Sequence, residues 1–365
     1  MDTYLNKKVN ILLFLFLYFV YGFKVIIASV QLPDDFLEPT KTFLNIFALA
    51  IVMVAFFYIN IKERVAIVLV CVWMVINYVL FNNYNLYDYV ILGTLIFLCR
   101  KIMYGDTLKA LFYSNFFILL SIIPFLLISD RAYIQDIKSG LRLTYGFIHP
   151  NVVAQYFVSL FFIFCAYSFY KFKGIAIKFI LLLTFYCILV FLILPTQSRT
   201  SIIVITVSAL LMLFYLWDEN MKNIPLIRKY AIVSLVIVML TFQLLGSIYF
   251  RDYSWLYLVD YVLSGRLYQG NQLYQDFGFP PLFFGRNIQN YMPIDFYFIG
   301  TMYSVGFIFT ILITSYLFYL ISKSKIDGPM FAIVLTNLLT MFTEFHFQIP
   351  IYSTALFILA SRKNN

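Results

Sequence analysis

The chain has 365 residues, of which 63% are hydrophobic and only 12% charged, and its mean hydropathy is +0.89. Soluble domains keep roughly a quarter of their residues charged, so this composition excludes a soluble globular enzyme and predicts an integral membrane protein. The formal charge of +9 sorts by membrane side, as shown below, so it reads as a topology signal and no nucleic-acid partner is expected.

Aromatic residues make up 21% of the chain, chiefly Phe and Tyr, as suits lipid-facing helices with interfacial belts. Apolar runs fall at about 9–30, 42–60, 65–82, 87–99, 108–129, 150–170, 177–194, 200–217, 230–249, 296–321, 329–343 and 349–361. Most are continuous for roughly 18 to 22 residues, the length of a membrane-crossing helix, whereas barrel strands alternate over about ten. The fold predicted is an all-α polytopic membrane protein of about 12 transmembrane helices, forming one integral membrane domain over 1–365. The first run follows Lys7 and Lys8 but exceeds a signal-peptide core of about 7–15 residues, and is read as an uncleaved first helix. Lys24, in the outer part of that helix, is expected to snorkel to the headgroups, with a bound phosphate as the sharper alternative. Cys71, Cys99, Cys165 and Cys187 all lie in apolar runs without C-x-x-C spacing, which predicts packing residues, neither disulfides nor a zinc site.

Twelve spans place both termini on one side. With that side cytosolic, the inner segments hold 17 of the 26 basic residues, in accord with the positive-inside rule. The outer side holds 8, namely Lys41, Arg131, Lys138, Arg142, Arg199, Arg251, Arg266 and Arg286, and Lys24 completes the set. The acidic stretch Pro33–Glu38 falls in the first outer loop. Two outer segments are long. One, 130–149, ends in "RLTYGFIHPN". The other, 250–295, interleaves apolar and aromatic residues with polar ones at near-helical spacing, and is predicted to carry amphipathic helices along the outer interface.

Polar residues collect on that outer face. Arg142, Tyr145, His149 and Asn151 stand at the outer end of the sixth run, and Gln197, Ser198 and Arg199 form a turn between the seventh and eighth. Arg266 and Arg286 lie in the long loop, Asp295 opens the tenth run, and Glu344 and His346 occupy the last outer turn. Each has an ordinary reading: His149 as a helix cap before Pro150, Asp295 as an acidic cap, the arginines as headgroup anchors. Together they suit a different chemistry. Arginines bind phosphate or diphosphate through charge-assisted bonds, and a nearby carboxylate or imidazole can remove a proton from a sugar hydroxyl. That combination describes transfer of a group from a lipid diphosphate to an alcohol. No carboxylate cluster offers a divalent-metal cage, so metal-free chemistry without a cofactor is expected.

The motifs "GFIHPN" (Gly146 to Asn151), "QSRTSI" (Gln197 to Ile202), "SGR" (Ser264 to Arg266), "FFGRN" (Phe283 to Asn287) and "DFYFIGTMYSVG" (Asp295 to Gly306) resemble, in order and placement, the O-antigen ligase and polymerase superfamily. The closest likeness is to the Wzy-type polymerases of bacterial surface polysaccharides. The resemblance implies a glycosyltransferase of the C type in the bacterial cytoplasmic membrane. It would join undecaprenyl-diphosphate-linked oligosaccharide repeat units, for a capsule, exopolysaccharide or O-antigen, at the outer leaflet. It implies that Arg199 and Arg266 hold the diphosphate and that Asp295 is the base, with inversion at the anomeric carbon. His149 is the competing base. Arg142, Tyr145, Asn151, Gln197, Ser198, Arg286 and Glu344 are supporting residues. Many members have Asn directly after the base, where this chain has Phe296. The resemblance also implies a chain-length regulator and a flippase as partners. A ligase is the neighbouring reading and a flippase of the same lipid the alternative from another class. A sensory or structural membrane protein ranks last, since it leaves the outer arginines unexplained. On the polymerase reading His149→Ala abolishes polymer while the protein still inserts.

Overall fold

A computed structural model describes residues 2–129, 133–136, 140–217, 225–292 and 294–362. Arg131, Lys138, Lys222 and Lys363, which entered the charge sorting, lie outside the described residues. The chain runs through α1 (Asp2–Ile27), α2 (Asp34–Phe56), α3 (Ile61–Phe81), α4 (Leu86–Cys99) and α5 (Tyr104–Ile128). A short hairpin, β1 (Tyr133–Asp136) and β2 (Gly140–Leu143), then leads to α6 (Pro150–Lys171), α7 (Ile175–Ile193), α8 (Arg199–Trp217) and α9 (Leu226–Ile248). The rest comprises α10 (Ser254–Val262), α11 (Arg266–Phe277), α12 (Tyr297–Val305), α13 (Phe307–Lys323), α14 (Gly328–Leu339) and α15 (Thr354–Ala360).

Among the described residues, α1, α2, α3 and α5 to α9 are long and apolar enough to cross a membrane. The protein is thus an all-α polytopic membrane protein. Three shorter apolar helices, α4, α13 and Gly328–Phe342, accompany them. The count of twelve is not reached by length and composition. The last run, 349–361, yields a 3-10 turn at Pro350–Tyr352 and the seven-residue α15. At 1.5 Å per residue α15 covers about 10 Å, a third of the hydrocarbon core.

The tenth run is broken. α12 stops at Gly306, whose φ of 101° no side-chain-bearing residue adopts easily, and α13 starts afresh. In lipid every backbone polar group must be satisfied inside the protein, so an interrupted helix needs partners. The segment 281–286, which runs into "FFGRN", provides them: Phe307 N donates to Pro281 O at 2.8 Å, Ile308 N to Leu282 O at 3.0 Å, and Arg286 N to Tyr303 O at 2.7 Å. Asn77, buried in α3, accepts from Gly285 N at 2.9 Å. The loop motif is therefore a backbone splint across the break.

The ends of the other helices follow capping chemistry. α3 opens on a capping box in which Glu63 accepts from Asn60 N at 2.9 Å, and α14 opens on Asp327, which accepts from Met330 N at 3.0 Å. α6 is the central helix, with 72% of its apolar window buried, whereas α3 and α7 at 11% and 17% face outward. α14 packs on α8 and α6, and α1 on α5, α2 and α4. The hairpin pairs Tyr133 with Leu143 and Asp136 with Gly140. The segment after it is stitched to the end of α1, with Ile148 N donating to Ser29 O at 2.7 Å and Gln31 N to Gly146 O at 3.0 Å. The 250–295 segment, expected to carry amphipathic helices, contains α10 and α11. α10 shows apolar Trp255, Tyr257, Leu258, Tyr261 and Val262 to the outside, as an interfacial helix does. The cysteines are free, with Cys99 and Cys165 buried, Cys71 half-buried and Cys187 exposed.

Candidate functional site

Arg266 is the centre of the site. It is the first residue of α11, and its position follows from the turn before it. Ser264 at φ 60° and Gly265 at φ 88° reverse the chain. Gly265 has no side chain to cap the helix, so Asp260 in α10 takes that role, its Oδ1 accepting from Leu267 N at 2.7 Å and Tyr268 N at 3.4 Å. The "SGR" motif is thus a left-handed turn fixed by a buried carboxylate seven residues before Leu267.

The guanidinium points at two carboxylates. Nε lies 3.2 Å from Asp295 Oδ2 and Nη2 lies 3.9 Å from Glu344 Oε1. Nη1 donates to Leu263 O at 3.2 Å. Among the described residues the buried Nε, although beside Asp295, has no hydrogen-bond partner in good geometry. Arg266 carries five N–H donors, so most stay available to an incoming anion. Asp295 does not cap α12, whose cap position is Phe296; its carboxylate turns to Arg266 instead. Phe296 is buried and packs on Phe342.

Glu344 lies just beyond the apolar segment Gly328–Phe342 and is only 8% exposed. Burial, then the repulsion of Asp295, raises its carboxyl to about 8, against the pull of Arg266 and of a Gln155 hydrogen bond. Asp295 is raised above the usual carboxylate range by burial, with Arg266 opposing. Burial presses His346 down to about 3, so its ring is neutral, and it packs on Tyr352 at 4.6 Å.

Two further residues fix this geometry and were not singled out in the sequence. Gln243, fully buried in α9, accepts from Phe298 N at 2.9 Å through Oε1 and donates from Nε2 to Met341 O at 2.9 Å. It joins the start of α12, beside Asp295, to the turn that carries Glu344. Gln155, in α6, reaches Glu344. The only signal for either was an amide inside an otherwise apolar run. Gln243→Leu removes both bonds while leaving Phe298 N and Met341 O buried, a loss of about 1–3 kcal/mol per orphaned group. The expected result is a lower melting temperature in detergent and weaker activity; an unchanged melting temperature contradicts the strut.

The "RLTYGFIHPN" residues form a second cluster. Buried Arg142 donates from Nε to Thr196 O at 2.8 Å and from Nη2 to Asn151 Oδ1 at 2.7 Å. Gln197 Nε2 donates to Leu141 O at 3.2 Å, Tyr145 OH to Leu192 O at 2.9 Å, and Ser198 Oγ lies 2.9 Å from Ser201 Oγ. These residues hold the turn Leu194–Ser198, where Gln197 adopts φ 54°, and present Arg199 as the exposed first residue of α8. His149 is exposed and caps α6, its Nδ1 accepting from Asn151 N at 3.2 Å. His149→Asn keeps a cap and removes the titratable ring; activity is expected to stay within about tenfold of wild type, since the cap alone is worth about 1 kcal/mol. A complete loss would return the ring to the chemistry.

The clusters meet at a cavity of about 20 Å³, room for one water, lined by Gln155, Thr200, Ser201, Glu344, His346 and Tyr352 among others. Thr200 and Ser201 directly follow Arg199. Arg286 stands apart, exposed and stacked 5.2 Å from the Phe277 ring. Lys24, likewise separate, lies over the rings of Tyr21 and Tyr87 at 5.2 and 5.6 Å. Among the described residues no group of three or more His, Cys, Asp or Glu is placed to hold a metal ion.

Fold and site define a polytopic membrane protein with a buried arginine and two carboxylates at the ends of its helices. Compared with protein-family models, with curated proteins and with solved structures, the chain matches none.

Proposed function

We propose that the protein is a glycosyltransferase that polymerises undecaprenyl-diphosphate-linked oligosaccharide repeat units. In this reading it sits in the bacterial cytoplasmic membrane, with both termini cytosolic and the Arg266 site facing outward. The supporting observation is the convergence of Asp295 and Glu344 on Arg266 beside the cavity that Thr200 and Ser201 share with Glu344. A buried guanidinium with uncommitted donors suits a diphosphate, and a carboxylate in contact with it suits a base whose nucleophile must meet that diphosphate.

Asp295 removes the proton of an acceptor hydroxyl, whose oxygen forms the new bond to the anomeric carbon. The bond from that carbon to the diphosphate oxygen breaks on the opposite face, and its electron pair leaves with undecaprenyl diphosphate. Arg266, together with Arg199 at the start of α8, stabilises the charge that develops on the leaving group, so the transfer inverts the anomeric centre. The arginines supply the positive charge, and the reaction is expected to persist in EDTA. Arg142, Asn151, Tyr145, Gln197 and Ser198 act by holding Arg199's turn, and His149 by capping α6. The polymer is a surface polysaccharide, with a flippase supplying the lipid-linked units and a chain-length regulator acting on the product. The test is release of undecaprenyl diphosphate from lipid-linked oligosaccharide by purified protein in nanodiscs with EDTA. One lipid diphosphate released per new glycosidic bond supports the reading, and bond formation that EDTA stops overturns its metal-independence.

A further inference from the structure

Two carboxylates share one counter-ion here. Asp295 Oδ2 and Glu344 Oε1 lie 3.2 and 3.9 Å from nitrogens of the same guanidinium. The groups facing Glu344 come from every side: Arg266 from α11, Asp295 from the approach to α12, Gln155 from α6, and His346 and Tyr352 from the segment that follows it. His346 is neutral, and burial raises the Tyr352 hydroxyl far above neutrality, so Arg266 is the only cation among them. With both carboxylates ionised the cluster is a net anion in a buried place, and a diphosphate arriving there meets repulsion. With one proton on the pair it is neutral, and the diphosphate meets a guanidinium opposed by a single carboxylate.

We propose that Glu344 is a positioning residue that carries a proton when the anionic donor binds, leaving Arg266 free for the diphosphate and Asp295 open as the base. The inference rests on the donor reading above and adds to it a specific role for Glu344. Its location agrees. Glu344 is the more buried of the two carboxylates, with side-chain exposure of 10% against 29% for Asp295, and it is farther from the arginine. The proton therefore rests on Glu344, while Asp295 keeps its ion pair and its access to an acceptor. The value near 8 for the Glu344 carboxyl puts the change within reach of experiment. The sign follows from linkage: the donor-binding form is the protonated one. Affinity is full below the Glu344 transition and falls as pH rises through it, by at most about tenfold per pH unit for one proton.

The probe is farnesyl-diphosphoryl-N-acetylglucosamine, a diphosphate diester that does not itself titrate near neutrality. Its binding to the full chain in nanodiscs is measured by calorimetry from about pH 6 to about pH 9.5. Wild type is expected to bind and to lose about tenfold or more in affinity across the alkaline half of the range. Glu344→Gln is expected to remove that dependence, whereas Asp295→Asn takes away the repulsion but not the burial that raises Glu344 and is expected to move the dependence to lower pH. A purely structural Glu344 would leave the slope in Asp295→Asn at its wild-type pH, and that variant carries the test if Glu344→Gln fails to fold. A wild-type affinity that is flat with pH overturns the proton on Glu344 while leaving the donor reading intact. No binding by wild type at any pH overturns the donor reading itself.

Discussion

Arg266→Ala is expected to abolish glycan lengthening, lowering the rate by on the order of 10²–10³-fold, as loss of a preorganised charge-stabilising donor does. The residue is almost fully buried and is the cation that Asp295 and Glu344 share. Removing one partner from a buried ion pair costs about 3–5 kcal/mol when the other stays charged. Here protonation of the carboxyls relieves part of that cost, so the variant is expected to insert with a lowered melting temperature and to lose donor binding. Arg266→Lys separates charge from shape. The ammonium keeps a positive charge but lacks the planar fork that spans a carboxylate on one edge and a phosphate on another. It is expected to recover stability more than activity. The check is donor affinity and rate measured on the same preparations; full activity in Arg266→Lys would make the arginine a charge anchor only.

Asp295→Asn is expected to lower the rate by about 10²–10⁴-fold, the range for loss of a general base, while donor binding persists. The amide preserves volume, and Asp295 makes no helix-capping bond that the substitution would break. Rate and binding should therefore separate in this variant and fall together in Arg266→Ala. If Asp295 is the base as proposed, its ionised form is the active one, and the acid limb of the wild-type rate profile is expected to show activity appearing as pH rises through the raised Asp295 transition. Asp295→Asn removes that limb from whatever rate remains. A wild-type rate in Asp295→Asn would transfer the base role to another group, with His149 the first to substitute.

The sequence displayed some of these residues openly and hid others, for physical reasons. Arg266, Asp295 and Glu344 stood out because charges are scarce in the chain and these fall at the edges of apolar runs. Their convergence was not visible, since they are far apart in sequence and are joined by Gln243 and Asp260. A single amide or carboxylate in a hydrophobic segment carries no periodic signal. Arg142 and Tyr145 drew attention for the same scarcity, yet their polar groups bind the Leu192–Thr196 backbone and Asn151. A buried arginine satisfied by carbonyls looks, in sequence, like one awaiting a ligand. The break at Gly306 is not legible in the sequence because glycine is common inside membrane helices. Only the segment 281–286 lying across it shows that this glycine ends a helix. The pairing of β1 with β2 is likewise not legible in the sequence, the strands being four residues each.

The central claim is that this membrane protein makes glycosidic bonds between lipid-linked oligosaccharides. The most direct measurement is the glycan length distribution, by mass spectrometry, after purified wild type in nanodiscs meets undecaprenyl-diphosphate oligosaccharide from the same organism in EDTA. A ladder at multiples of the repeat unit, absent in Arg266→Ala and Asp295→Asn, is the predicted result. Unchanged glycan length, with labelled lipid-linked oligosaccharide crossing the bilayer of proteoliposomes instead, would contradict it and make the protein a transporter.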